Sequence, residues 1–129
     1  MVLDSSALVA ILRKEPGYER LVRILDESEV VVAGAPTVLE TAIVLTARLG
    51  VDARPMLFAF LRHLDVEVVP FNETHMDAAV TAFQRFGRGR HAASLNFGDC
   101  MSYAVASVAG LPLFFVGDEF ARTGIARAG

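Results

Sequence analysis

The sequence predicts an α/β fold, a parallel sheet wrapped by helices. Two observations predict it. Short β-branched or aromatic runs (Met1–Leu3, Val30–Ala33, Val66–Val69 and Leu113–Val116) alternate with longer segments of helical periodicity, the pattern of strands joined by crossover helices. The strand runs are also mostly apolar rather than strictly alternating, as in a sheet covered on both faces.

The elements follow in order. Met1–Leu3 leads into a helix over Ser6–Lys14, closed by Pro16-Gly17. A second helix over Tyr18–Glu27 sets Leu21, Ile24 and Leu25 at helical spacing. Pro36–Leu49 opens with proline and stops at Gly50. Asp52–Leu64 follows, with Asp52 the expected N-cap. Glu73–Phe86 is broken by Gly87-Arg88-Gly89-Arg90, and Asn96–Ala109 ends at Gly110. The tail Glu119–Gly129 has room for a turn and an edge strand. No repeat or linker intervenes, and 129 residues suit one domain, 1–129.

Composition narrows the class. Hydrophobic residues make up 53% and charged residues 21%, with mean hydropathy +0.45, which excludes a disordered chain. The single Cys excludes an internal disulfide and suits a reducing compartment. Met1-Val2-Leu3-Asp4 carries no basic segment, so no signal peptide is expected. The uncharged stretch Cys100–Gly117 is broken by Gly110-Leu111-Pro112 and reads as helix, turn and buried strand rather than a membrane span. A soluble, cytoplasmic protein is expected. The balance of 12 basic and 15 acidic residues, net −3, argues at face value against a nucleic-acid partner.

The position of the acids changes that reading. Ligands of open parallel sheets bind beyond the C-terminal ends of the strands. Asp4 directly follows the first strand, Glu40 lies one turn into the helix after the second, and Asp118 follows the last. Asp99 begins the helix that feeds the last strand, and spacing alone assigns it to the opposite end of the sheet. It joins the others only if its helix crosses the sheet edge or the loop at 87–98 repositions it. Each acid also has a bland explanation. Asp4, Ser5 or Ser6 can cap the first helix. Thr37-x-x-Glu40 is a capping-box pattern. Asp99 suits a helix dipole, and Asp118 suits a turn. Four carboxylates converging in a cleft repel one another and raise one another's pKa. A divalent cation relieves that repulsion, and an all-oxygen donor set suits Mg²⁺ or Mn²⁺ and phosphoryl chemistry.

Four stretches carry a family resemblance: Val2-Leu3-Asp4-Ser5-Ser6-Ala7-Leu8, Thr37-Val38-Leu39-Glu40, Leu95-Asn96-Phe97-Gly98-Asp99-Cys100 and Gly117-Asp118-Glu119-Phe120-Ala121-Arg122-Thr123. Together they resemble the PIN-domain ribonucleases, and among these the VapC toxins of toxin–antitoxin pairs. The resemblance implies a parallel five-stranded sheet with helices on both sides. It implies an acidic quartet at Asp4, Glu40, Asp99 and Asp118, so Asp99 joins the site. Relatives often carry two aspartates where this chain has Asp118-Glu119, which leaves the part of Glu119 open. The implied activity is Mg²⁺- or Mn²⁺-dependent endoribonuclease cleavage. In it Asp4, Asp99 and Asp118 act as metal ligands, and Glu40 orients or deprotonates the attacking water. Ser6 and Thr37 would support the carboxylates, with Thr37 also capping its helix and Ser5 acting as a cap. The resemblance further implies an RNA substrate, a VapB-like antitoxin partner and a homodimer.

Other features are weighed against plainer roles. From Ala78 to Gly98 there is no acid, while Arg85, Arg88, Arg90 and His91 fall in this span. They are candidate RNA contacts, against the alternative of a solvated loop. Arg13, Lys14 and Arg122 are weaker candidates. His63 and His75 have no metal-site partner, and Cys100 reads as a small buried residue. The phenylalanines at 58, 60, 83, 86, 114 and 115 read as mostly core. The high apolar fraction also suggests covered interaction surface. Two competing readings are an Asp-phosphorylated receiver-like or phosphatase domain and a catalytically silent PIN-like binding module. The first would want a lysine at a late strand end, but the only lysine is Lys14. The intact quartet argues against the second. With the quartet set apart, 11 acids face 12 bases, so the net charge no longer opposes RNA.

Overall fold

The first two residues able to form a strand, Val2 and Leu3, occupy the middle of the sheet and fix its chemistry. A computed structural model describes residues 1–129. In chain order the elements are β1 (Val2–Leu3), α1 (Ser5–Leu12), α2 (Tyr18–Asp26), β2 (Val32–Gly34), α3 (Ala35–Leu49), α4 (Arg54–His63), β3 (Glu67–Val69), α5 (Glu73–Phe86), α6 (Phe97–Ala109) and β4 (Leu113–Phe114), with a 3₁₀ turn at Phe120–Arg122. The sheet is parallel, in the order β3-β2-β1-β4. Val2 stands opposite both Val32 and Leu113, so the three strands that precede Asp4, Glu40 and Asp118 are neighbours, with β1 between β2 and β4.

The period-two alternation of strand side chains divides the core. Val2, Val32, Leu113 and Phe115 point to one side, with Phe86, Leu95, Val105 and Phe120. Leu3, Ala33 and Phe114 point to the other, with Leu8, Ile11, Leu25, Leu57 and Leu61. Every buried side-chain nitrogen and oxygen finds a hydrogen-bond partner. No helix is long and apolar enough to cross a membrane.

Several expectations are corrected. The sheet has four strands, not five. The tail does reach its edge, where Leu113 N–H donates to the Ala126 carbonyl and Ala128 N–H to the Leu113 carbonyl. One parallel bridge, Leu113 to Arg127, is too short to make a fifth strand. Asp52 is not the N-cap of α4. That position falls to Ala53, while Asp52 accepts from the Arg54 N–H at 3.0 Å and pairs with its guanidinium. Phe58 and Phe83 are not core residues, being 42% and 41% exposed. The opposite-end placement of Asp99 also fails. A helix that feeds a parallel strand runs antiparallel to it, and α6 reaches β4 through the short link 110–112. Its first turn therefore lies beside the strand C-termini.

Candidate active site

Asp4 is the buried centre of the site, 3% exposed at the end of β1. It is the N-cap of α1, its Oδ2 accepting from the Ser6 N–H at 3.0 Å and from Ser6 Oγ–H at 2.6 Å. Its Oδ1 accepts from Ser102 Oγ–H at 2.6 Å. Ser102 Oγ is also 3.1 Å from Thr37 Oγ1. A carboxylate can only accept, so the single Ser102 proton goes to Asp4 and Thr37 must be the donor in the second contact. This relay of two hydroxyls joins α3 and α6 to Asp4 at the end of β1. Ser6 Oγ also accepts from the Val116 N–H at 3.0 Å, tying the end of β1 to the segment after β4.

Ser6 thus supports Asp4, and capping and site-building are the same act. Ser5 is not the cap. Thr37 lies inside α3, whose N-cap is Gly34 without a side-chain bond, so there is no Thr37–Glu40 capping box. Thr37 works on Asp4 through Ser102 rather than on Glu40. Ser102 went unrecognised in the sequence. Its signal was there, since a polar residue three positions after Asp99 shares its helix face.

Asp99 is held by the first turn of α6. Its backbone N–H donates to Asn96 Oδ1 at 2.9 Å, and its Oδ2 accepts from the Asn96 N–H at 3.0 Å, a reciprocal capping box. Burial pushes its carboxyl up to about 6, against the pull of the Asn96 N–H, and the negative charges of Asp4, Glu119 and Glu40 push further. Burial, with Asp99 behind it, also raises the Cys100 thiol. Glu40 projects from α3 against Gly98, where any Cβ would collide with its carboxylate. Glycine at 98 is thus what admits Glu40 beside Asp99.

Gly117, with φ at +108°, turns the chain after β4. Asp118 and Glu119 follow, both exposed. They line a cleft of about 230 Å³ with Ala92, Ala93, Ser94 and Arg122. Of the two, Glu119 is the one whose charge bears on Asp99. The fold therefore brings Asp4, Glu40 and Asp99 together beside the strand C-termini, with Asp118 and Glu119 side by side on the adjoining cleft wall.

The donor set fits a hard divalent cation, since the converging groups are carboxylate oxygens and a neutral thiol offers no competition. No three His, Cys, Asp or Glu side chains stand close enough to form a closed metal cage as placed.

The basic residues lie at the end of α5 and in the loop that follows, where Arg85 lines a groove with Asp77 and Tyr103. Arg85, Arg88, Arg90 and His91 are exposed. The two ion pairs of the chain, Arg13–Glu15 and Arg54–Asp52, involve none of them. The Arg85 guanidinium rests over the Phe86 ring at 4.9 Å, and Arg90 over Phe83 at 5.4 Å. Arg122 donates to the Ala92 carbonyl at 3.2 Å, fastening this loop to the turn after Glu119. His91 Nδ1 accepts from the Ala93 N–H. His63 is exposed. His75 is buried, serving as a capping-box partner of Asn72 and stacking on Phe71. Lys14 is exposed beyond the end of α1.

Comparison with known proteins places this architecture. A family model described as PIN domain matches residues 1–126. The chain is 44% identical over 126 residues to a "Ribonuclease VapC" of Mycolicibacterium smegmatis, covering 98% of each chain. Its fold is similar to the crystal structure of VapC20 of Mycobacterium tuberculosis, described as a sarcin-ricin loop cleaving toxin. That match has TM-score 0.79 and 20% identity, covering 97% of this chain and 95% of the other. A toxin–antitoxin complex from Klebsiella pneumoniae is similar at TM-score 0.68 and 15% identity, covering 93% and 89%.

Proposed function

Because the chain belongs to the PIN-domain family and to its VapC ribonuclease branch, we propose that it is a metal-dependent endoribonuclease toxin, held in check by a cognate antitoxin. The observation that carries this reading is the grouping of three acids from separate elements at the strand ends: Asp4, buried and held by Ser6 and Ser102, and the Glu40 carboxylate seated against Gly98 beside Asp99.

Asp4 and Asp99 would hold Mg²⁺ or Mn²⁺, with Asp118 as a further ligand. Bound there, the cation supplies Lewis-acid stabilisation of charge on the phosphodiester oxygens. Asp4 is kept in one orientation by Ser6 and Ser102, with Thr37 behind Ser102. Glu40, beside Gly98, orients the attacking water or takes its proton. Arg85, Arg88, Arg90 and His91 grip RNA phosphates on either side of the scissile one. No covalent protein nucleophile is needed.

The reading extends to a cytoplasmic VapB-like antitoxin and a homodimer. The exposed apolar residues Leu39, Ile43 and Val51 line a groove of about 780 Å³ along α3. A protein partner covering that groove would hide apolar surface.

The test is RNA cleavage by the purified protein with Mg²⁺ or Mn²⁺, beside Asp4→Ala and Asp99→Ala. Loss of cleavage in both variants and in chelator is expected. Activity that survives both substitutions, or persists in excess chelator, overturns the metal–carboxylate mechanism.

A further inference from the structure

Among the large apolar side chains, Phe97 is the most exposed, at 81%. It is the first residue of α6, between the N-cap Asn96 and Gly98. Gly98 is where the Glu40 carboxylate rests, and Asp99 is the next residue. Phe97 thus sits in the same helical turn as the Glu40–Gly98 approach and Asp99, a turn fixed by the Asn96–Asp99 capping box.

Nothing in the fold uses this ring. Phe83, Phe86 and Phe115 each carry an arginine, and Phe71, Phe86, Phe115 and Phe120 each have a ring partner; Phe97 has neither. It does not line the apolar groove on α3. Along the chain it is flanked by the exposed amide Asn96 and by buried Gly98, with the half-buried Asp99 carboxylate one residue further, so the segment that carries the ring is otherwise polar or small. Carboxylates beside it disfavour additional phosphate contacts. A nucleobase, by contrast, offers an uncharged π-face that stacks on an aromatic side chain whatever its sequence.

We propose that Phe97 is a stacking platform for an unpaired base of the RNA next to the scissile phosphate. The inference rests on the ribonuclease reading and adds to it a substrate form, since a base locked in a duplex cannot reach the ring. The platform supplies affinity and positioning of the strand, and the chemistry stays with the carboxylates.

The test compares wild type with Phe97→Ala, Phe97→Leu and Phe97→Trp, binding a short fluorescent single-stranded RNA pool of random sequence in Ca²⁺. A parallel pool carries the same backbone with abasic sugars. Alanine should weaken binding to the base-bearing pool by about 5- to 150-fold, the range expected for one stacked base. Leucine should fail to restore it and tryptophan should succeed. On the abasic pool all four proteins should bind alike. Because the ring is exposed, the variants should keep the wild-type melting temperature. Unchanged binding by Phe97→Ala, or full rescue by leucine, overturns the platform. So does Phe97→Ala shifting the oligomeric state in sedimentation while RNA binding stays constant, which would make the ring a protein contact. In each of those cases wild-type RNA cleavage leaves the ribonuclease reading standing. A wild type that neither binds nor cleaves RNA removes both.

Discussion

Replacing Asp99 by Asn should make the metal-free protein more stable and less active. The substitution keeps the shape of the side chain and an oxygen able to accept from the Asn96 N–H, so the α6 cap survives. It removes a carboxylate that burial and three neighbouring acids raise from 3.8 to about 6. Unscreened, that rise corresponds to ~3 kcal/mol. Asp99 is only half-buried, and solvent screening reduces this to about 1 kcal/mol. For a chain of this length the melting temperature should rise by about 3–5 °C. The sign is set by linkage. A carboxyl whose folded pKa is raised binds its proton more tightly in the native state, so wild-type stability is fully present at low pH. It is lost as the pH climbs from about 4 through about 6. Asparagine has no proton to lose, so the gap between the proteins should be absent near the lower limit and complete above the upper. Thermal melts of both proteins in chelator across this range, with RNA cleavage assayed alongside, provide the check. Equal melting temperatures at neutral pH, or a gap of constant size at every pH, would refute the claim that charge at Asp99 strains the fold.

Three further outcomes are expected. Gly98→Ala should lower cleavage by roughly 100-fold, because its Cβ displaces the flexible end of Glu40; its melting temperature should hold or rise, alanine being the better helix former. A parallel fall in stability and activity would show instead that the backbone had moved. Ser102→Ala leaves Asp4 short of one donor and Thr37 Oγ1 without its acceptor, all in buried positions; urea unfolding should register a loss of about 1–3 kcal/mol, and a neutral result would remove the relay from the account. Replacing Arg88 and Arg90 together with Ala should flatten the salt dependence of single-stranded RNA binding by a slope of roughly 1.4, and an unchanged slope would leave the basic loop as mere solvated surface.

The fold was legible wherever a local rule decided it. The β-branched runs, the Pro36 start, the Gly50 and Gly110 stops and the break at Gly87 all mark elements within a few residues of their observed bounds. Position across the sheet was harder. Asp99 was misplaced by spacing because the direction of α6 follows from its link to β4, not from anything in its own turn. Thr37-x-x-Glu40 looked like a cap because the pattern is local, whereas the bond Thr37 makes crosses to Ser102 on another helix. Asp118 and Glu119 share one cleft wall because Gly117 turns the chain there, and two adjacent residues of like charge give the sequence no way to rank them. Phe58 and Phe83 are apolar by type but lie on faces left uncovered by this chain.

The ties that shape Asp4 span nearly the whole polypeptide: 98 residues separate it from Ser102, and 110 separate Ser6 from Val116. Contacts of such separation are the last a chain can make, since the entropy of closing the loop must be met before they form. During synthesis, a growing chain that has not yet delivered β4 and the turn at Gly117 has acids but no assembled site.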